Sequence, residues 1–351
     1  MTANQYLPEG EIFSSQENKD YISSIYGLEK AMASGKIIEG IAVMCESADM
    51  SLQIELCGGN VMGIIPKSES LYNADDSEPK DIAIITRVGK AVCFKVKEII
   101  YPEKTAAESD ENHIPIALLS RRDAQIECAE NFHSQLRCGD IIPAVVTHLE
   151  PFGAFVDIGC GLVSLLSVDC ISVSRISHPG DRISVRDKIM TIVKSIDCET
   201  RRIYVSQREL LGTWEENVSG LKAGQTVAGI IRSIEEYGIF VELTPNLAGL
   251  AELCDEESGT MKSIAPGQTC AVYIKSILPE RMKIKLVLID AYKREKVDDA
   301  SKFDRTRFSA ERNRVKYFID TDVVKHIDKW QYSPENCKKI IETNFSLCEI
   351  T

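Results

Sequence analysis

Short alternations of apolar and polar residues, broken by glycine, run through most of this chain and predict strands more than helices. The alternation is sharpest at Phe155-Val156-Asp157-Ile158-Gly159. It puts Phe155, Asp157 and Gly159 on one strand face and Val156 and Ile158 on the other. Just before it stands an aromatic, a glycine, a spacer and a second aromatic, Phe152-Gly153-Ala154-Phe155, and the phrase returns as Tyr237-Gly238-Ile239-Phe240. The glycine permits a tight bend or bulge between two strands. Such a bend brings both rings side by side on one exposed surface, where nucleotide bases can stack.

The two phrases belong to a longer repeat. Gly153 and Gly238 differ by 85, as do Gly139 and Gly224, which open the two copies. Gly161 and Gly249 differ by 88, which implies three extra residues near Thr244-Pro245-Asn246 in the second copy. The closing strands RRIYVS and MKIKLV align Ile203 with Ile284 at an offset of 81. Each unit runs from a Gly-led strand through the aromatic hairpin to a basic closing strand, which reads as a five-stranded barrel of the OB type.

A third, eroded copy precedes these two. Gly35–Val43, Leu52–Leu56, Val61–Pro66, Val88–Ile100 and Ile116–Arg122 keep the strand pattern, but CESADMSL stands where the rings would be. The expected class is therefore mainly β. Three tandem five-stranded OB-fold barrels, the first one degenerate, occupy residues 35–121, 139–210 and 224–290. Residues 1–34 read as a flexible lead to Glu17 and then a helix with Ile22, Ile25, Leu28 and Met32 on one face, stopped by Gly35. A linker helix over 122–138 has Ile126, Cys128 and Phe132 as candidate buried residues, and the linker 211–223 places Trp214 between barrels. Tyr101–Pro115 reads as a solvated loop. The extension 291–351 carries a basic run over 302–316, net +4, with Phe303, Phe308, Tyr317, Phe318, Trp330 and Tyr332 interleaved. It reads as a segment that packs back on the third barrel or, alternatively, as a nucleic-acid arm.

Charge narrows the function. The net charge of −12 is awkward for a nucleic-acid binder, but it is unevenly spread. Residues 1–138 carry −9, 139–210 carry −1, 211–290 carry −4 and 291–351 carry +2. The first part repels phosphate, whereas the two complete repeats are milder. Twelve singly placed cysteines and five histidines show no metal-ligand spacing, so no metal or other cofactor is expected. Free thiols suit a reducing cytosol. The N-terminus lacks the regions of a signal peptide and no apolar run is long enough for a membrane span, so a cytoplasmic protein with no membrane role is expected. No nucleotide-loop, dinucleotide, zinc-protease or paired-carboxylate motif is present, and no enzymatic activity is expected.

The ordered set PFGAFVDIG, GLVSLL, RISHPGD and RRIYVS, repeated as EYGIFVEL, AGLAEL and MKIKL, resembles the RNA-binding repeat of ribosomal protein S1. The match covers 139–210 and 224–290, and the whole chain is similar to compact S1 homologues of Gram-positive bacteria. The resemblance implies RNA contacts through the two aromatics, a histidine after a Gly-Leu-Val, an acidic residue before the closing strand and a basic residue within it. In the second barrel these are Phe152, Phe155, Asp197 and Arg202, with Ser164 at the histidine position. In the third they are Tyr237, Phe240 and Lys283, with Glu252 at the histidine position and Pro279 at the acidic one. Lys285 follows on the face of Lys283, Arg232 on the first strand is a candidate to join them, and His148 a candidate to compensate for the missing histidine. Each has a bland alternative: core packing for the rings, a turn role for Asp197, a structural role for His148.

The resemblance also implies that N-terminal repeats attach to the ribosome. Residues 1–138 are thus expected to dock on the small ribosomal subunit or another protein, or merely to support their neighbours. Two readings follow. One is a non-catalytic single-stranded RNA-binding protein acting in translation on mRNA. The other is an accessory RNA-binding subunit of a processing or decay complex.

Overall fold

The computed structural model describes residues 6–75, 77–102, 114–252, 264–292 and 316–347. The basic run over 302–316, Lys316 excepted, and most of the 101–115 loop lie outside them.

Three closed five-stranded barrels follow one another. The first is β1 (Ile38–Cys45), β2 (Leu52–Leu56), β3 (Val61–Ile65), β4 (Ala91–Ile100) and β5 (Ile116–Ser120), preceded by helices α1 (Gln16–Ile22) and α2 (Ile25–Ser34) and carrying α3 (Asp81–Ile85) before β4. Helix α4 (Arg121–Gln135) leads to the second barrel: β6 (Ile141–Glu150), β7 (Gly153–Asp157), β8 (Val163–Ser167), β9 (Lys188–Asp197) and β10 (Arg202–Ser206), with α5 (Val168–Ile171) after β8. Helix α6 (Trp214–Val218) precedes the third: β11 (Thr226–Glu235), β12 (Gly238–Thr244), β13 (Leu247–Glu252), β14 (Thr269–Leu278) and β15 (Lys283–Tyr292). In each barrel the first three strands pair in order, the third pairs parallel with the fifth, and the fifth returns to the fourth, which closes on the first.

Alternation fills each interior. Ile54, Phe94 and Leu119 in the first barrel, Val146, Val156 and Leu166 in the second, and Ile231, Val241 and Leu286 in the third are buried. The motif glycine is needed for close approach. A Cβ at Gly153 would sit 2.6 Å from the Leu166 carbonyl oxygen, and one at Gly238 would sit 2.7 Å from that of Ala251. Neither strand pair can separate without opening the barrel, so glycine is required.

The first helix expected from sequence is two helices. Ser24 caps the second through the Gly27 amide, and Gly35 ends it with φ of 63°. Leu28 and Ala31 face the barrel, while Met32 lies exposed.

The lead is not free either from Tyr6 onward. The Glu9 side chain is buried between the first two barrels, where it accepts from Arg121 Nε at 2.6 Å and Nη2 at 3.0 Å, and from Arg87 at 3.2 Å. Its amide donates to Asp157 of the second barrel at 2.8 Å, and the Gly10 amide donates to Glu39 of the first at 2.9 Å. Asp157 also accepts from the Gly159 and Gly161 amides, so it is buried rather than displayed beside Phe155. Burial raises the Glu9 carboxyl, but the Arg121 charge and hydrogen bonds outweigh it and hold the group below its ordinary value. Arg121 is 1% exposed and the ion pair is complete, so losing either partner would leave an uncompensated buried charge.

The second and third barrels are also locked together. Arg182 forks onto Glu242 across the boundary, and Asn246 accepts from the Val173 amide at 2.9 Å while donating to the carbonyls of Arg208 and Gly212. Trp214 packs into the core of the third barrel with Trp330 and Tyr332 of the extension. The described part of that extension is therefore packed. Strands β16 (Lys329–Gln331) and β17 (Glu342–Asn344) pair, Phe345 joins a small core with Ile141 and Leu210, and the Tyr317 hydroxyl accepts from the Met190 amide at 2.8 Å.

Candidate nucleic-acid interface

The β6–β7 hairpin of the second barrel carries the ring pair. Phe155 stands half-buried mid-strand, and Phe152 stands at the turn, 55% exposed. Their centroids are 6.0 Å apart and the planes cross at 87°. Tyr237 and Phe240 repeat this geometry at 6.1 Å and 88°. The rings are thus edge-on to each other rather than side by side as one flat platform. The two ring faces point in different directions, which suits bases that are themselves turned relative to one another.

Register shows what surrounds Phe155. It lies opposite His148 on β6 and Leu165 on β8, and Leu165 lies beside Tyr204 on β10. His148, Phe155, Leu165 and Tyr204 therefore form one row across four strands. The His148 ring lies nearly parallel to Phe155, 20° between planes and 6.5 Å between centroids, and its Nε2 is 2.8 Å from Glu150 Oε1. Tyr204 was missed in the sequence because it reads there as one residue of a closing strand. The signal was its spacing of two from Arg202, which puts both on one face.

A bulge decides which first-strand residue joins the row. The register shifts between Val146 and His148 in the second barrel and between Ile231 and Ser233 in the third. Ser233, not Arg232, thereby faces Phe240 as His148 faces Phe155. Arg232 is turned away, 11% exposed, into contact with Glu242 and Asp181. It belongs to the barrel–barrel boundary and not to the Lys283 face. The extra residue of the bulge reverses the parity that simple alternation assumes.

The same registers correct two positions. Phe155 faces Leu165 and Phe240 faces Leu250, so the offset of 85 persists through the hairpin and no extra residues are inserted. The counterpart of Glu252 is therefore Ser167, and Ser164 is a buried residue whose Oγ donates to the Ile203 carbonyl at 2.6 Å. Likewise Asp197 pairs with Arg202 and Leu278 with Lys283, so Leu278, not Pro279, matches Asp197.

Asp197 is engaged in its own turn. It accepts from the Thr200 hydroxyl and amide and the Glu199 amide, which hold its carboxyl below the ordinary range, the Thr200 hydroxyl most of all. Arg202 beside it is exposed. In the third barrel Lys283 and Lys285 are exposed, and Glu252 sits 3.2 Å from Lys275 and 3.8 Å from Lys285. Two of the cations on this face are thus partly neutralised. In the first barrel the hairpin register puts Gln53 where Phe155 stands and Met44 where His148 stands, so no stacking row forms. Among the described residues no cluster of side chains is suited to a metal ion, and no helix is long and apolar enough to cross a membrane.

Tandem OB-type barrels with an exposed ring pair at the first hairpin are the class that this fold and surface define. A family model for the S1 RNA binding domain matches residues 135–208, the second barrel. The small ribosomal subunit protein bS1 homolog of Bacillus cereus is 25% identical over 312 residues, covering 87% of this chain and 76% of that protein. The small ribosomal subunit protein bS1 of Staphylococcus haemolyticus is 31% identical over 227 residues, covering 61% and 54%. That of Staphylococcus aureus is 29% identical over 209 residues, covering 56% and 50%. The chain spans three quarters of the first relative and about half of the other two. The chain is thus similar to bS1 proteins over most of its length, and its second barrel matches the S1 RNA binding domain.

Proposed function

We propose that the chain is a non-catalytic single-stranded RNA-binding protein of translation that holds mRNA at the small ribosomal subunit. The observation that carries this reading is the row of His148, Phe155, Leu165 and Tyr204, edged by Phe152 and Arg202, on the S1 domain. Aromatic faces accept any base, so stacking gives affinity with little sequence preference. Arg202 neutralises a phosphate or lies against a base. Asp197, locked in its turn, accepts a hydrogen bond from a base edge or a 2′-hydroxyl that Arg202 brings near. The third barrel, with Tyr237, Phe240, Lys283 and Lys285, is a second and weaker contact. The first barrel, acidic and without rings, attaches to a protein surface.

Two measurements test this. The full chain should sediment with small ribosomal subunits, and Phe152→Ala/Phe155→Ala should lower its affinity for a short single-stranded RNA by about tenfold or more. Co-purification with a nuclease in place of ribosomes would overturn the translation reading in favour of an accessory subunit. Unchanged RNA affinity would overturn the interface itself.

A further inference from the structure

A cleft of about 610 Å³ opens between the first two barrels. Its walls include Tyr72 from the first barrel, Gln125 and His133 from α4, and Arg201 and Arg202 from the β9–β10 turn. We propose that this cleft is a further nucleotide subsite, in which a base of the bound strand rests against Tyr72 and His133 and its phosphate lies at Arg201 and Arg202. The proposal rests on the RNA reading and extends it: the first barrel, which has no ring row of its own, contributes a ring to its neighbour's site.

Continuity is the first support. Val163 and Arg202 line the cleft, and Leu165 and Tyr204, two residues further along the same strands, belong to the row. Two strand residues span about 7 Å, so the cleft begins about one nucleotide's reach from the row.

Pre-organisation is the second. The Tyr72 amide donates to Gln125 Oε1 at 2.8 Å, and buried Gln125 is itself fixed by donating to the Cys160 carbonyl at 3.1 Å. The Tyr72 hydroxyl accepts from Arg201 at 3.2 Å. The ring is held at both ends across the barrel boundary, which lowers the ordering cost of a stacked base.

Charge gives the orientation. Asp75 lines the cleft from the first barrel and repels phosphate from that wall, while Glu199, on the arginines' own turn, only tempers their charge. Asp75 is held ionised by hydrogen bonds from Ser77 and, less, by the charge of Arg202. The backbone must therefore run along the arginine edge with the base turned inward, where the carboxylates can accept from exocyclic amino groups.

The test uses the full chain and single-stranded RNAs of about 4 and about 8 nucleotides, the longer carrying 2-aminopurine toward one end. Tyr72→Ala should weaken the longer RNA about tenfold and relieve 2-aminopurine quenching, yet leave the shorter RNA unchanged. His133→Ala, on a separate element, should give the same length-selective loss, which keeps the test decisive if Tyr72→Ala perturbs the fold. If neither variant discriminates by length while Phe152→Ala/Phe155→Ala weakens both RNAs, the cleft is not a subsite. If the phenylalanine variant also changes nothing, the RNA reading itself has failed.

Discussion

Single residues separate binding from support most clearly at Tyr204. It shares the row of Phe155, so Tyr204→Ala should weaken single-stranded RNA binding about fivefold or more in anisotropy, whereas Tyr204→Phe should retain most of the affinity. Unaltered binding by the alanine variant would remove Tyr204 from the surface. Glu39 is the opposite kind of residue. Burial pushes its carboxyl from 4.5 up to about 8, opposed by the Gly10 amide and reinforced by Glu9. The folded protein keeps this proton where the unfolded chain has lost it, so stability falls as pH rises from about 4.5 to about 8. Asp157, raised by burial and then by Glu9 to about 7, acts in the same direction. Glu39→Gln should therefore flatten the decline in melting temperature between about pH 5 and about pH 8. A decline as steep as that of the wild type would show that Glu39 is not the proton carrier.

At the scale of elements, the strands and the hairpin rings were legible because period-two alternation and the repeated phrase are local. What lay beyond reach was non-local. The β11 bulge moves Arg232 to a buried ion pair, and no spacing in the sequence marks it. The lead read as flexible because the partners of Glu9, Arg87 and Arg121, lie 78 and 112 residues away. The aromatics of the extension were readable by their density as packing on the third barrel, but not that Tyr317 would join a core of the second. Trp330 enters that of the third barrel, so Trp330→Ala should destabilise this barrel by about 3–5 kcal/mol. Thermal unfolding should show an early transition, with affinity for an RNA short enough to fill only the second barrel unchanged. A single transition at the wild-type temperature would mean that the extension does not support the barrel.

For the whole molecule, the decisive property is that weak surfaces share one chain. Net charge is −12, so long-range attraction does not gather RNA. On the proposed reading, affinity comes from stacking plus a few local cations. The dependence on salt should then be shallow, about −0.7 log units per neutralised phosphate. Two ring pairs on one chain raise each other's effective concentration, so a long RNA should bind more tightly than the sum of its parts suggests. The most direct test is anisotropy with a labelled single-stranded RNA long enough to span both ring pairs. It compares the wild type, Phe152→Ala/Phe155→Ala, Tyr237→Ala/Phe240→Ala and the fourfold variant. Loss should be larger for the second-barrel pair, smaller for the third-barrel pair and nearly complete for all four. Equal binding by all four proteins would contradict the assignment of these rings to RNA and turn the chain into a protein-facing adaptor.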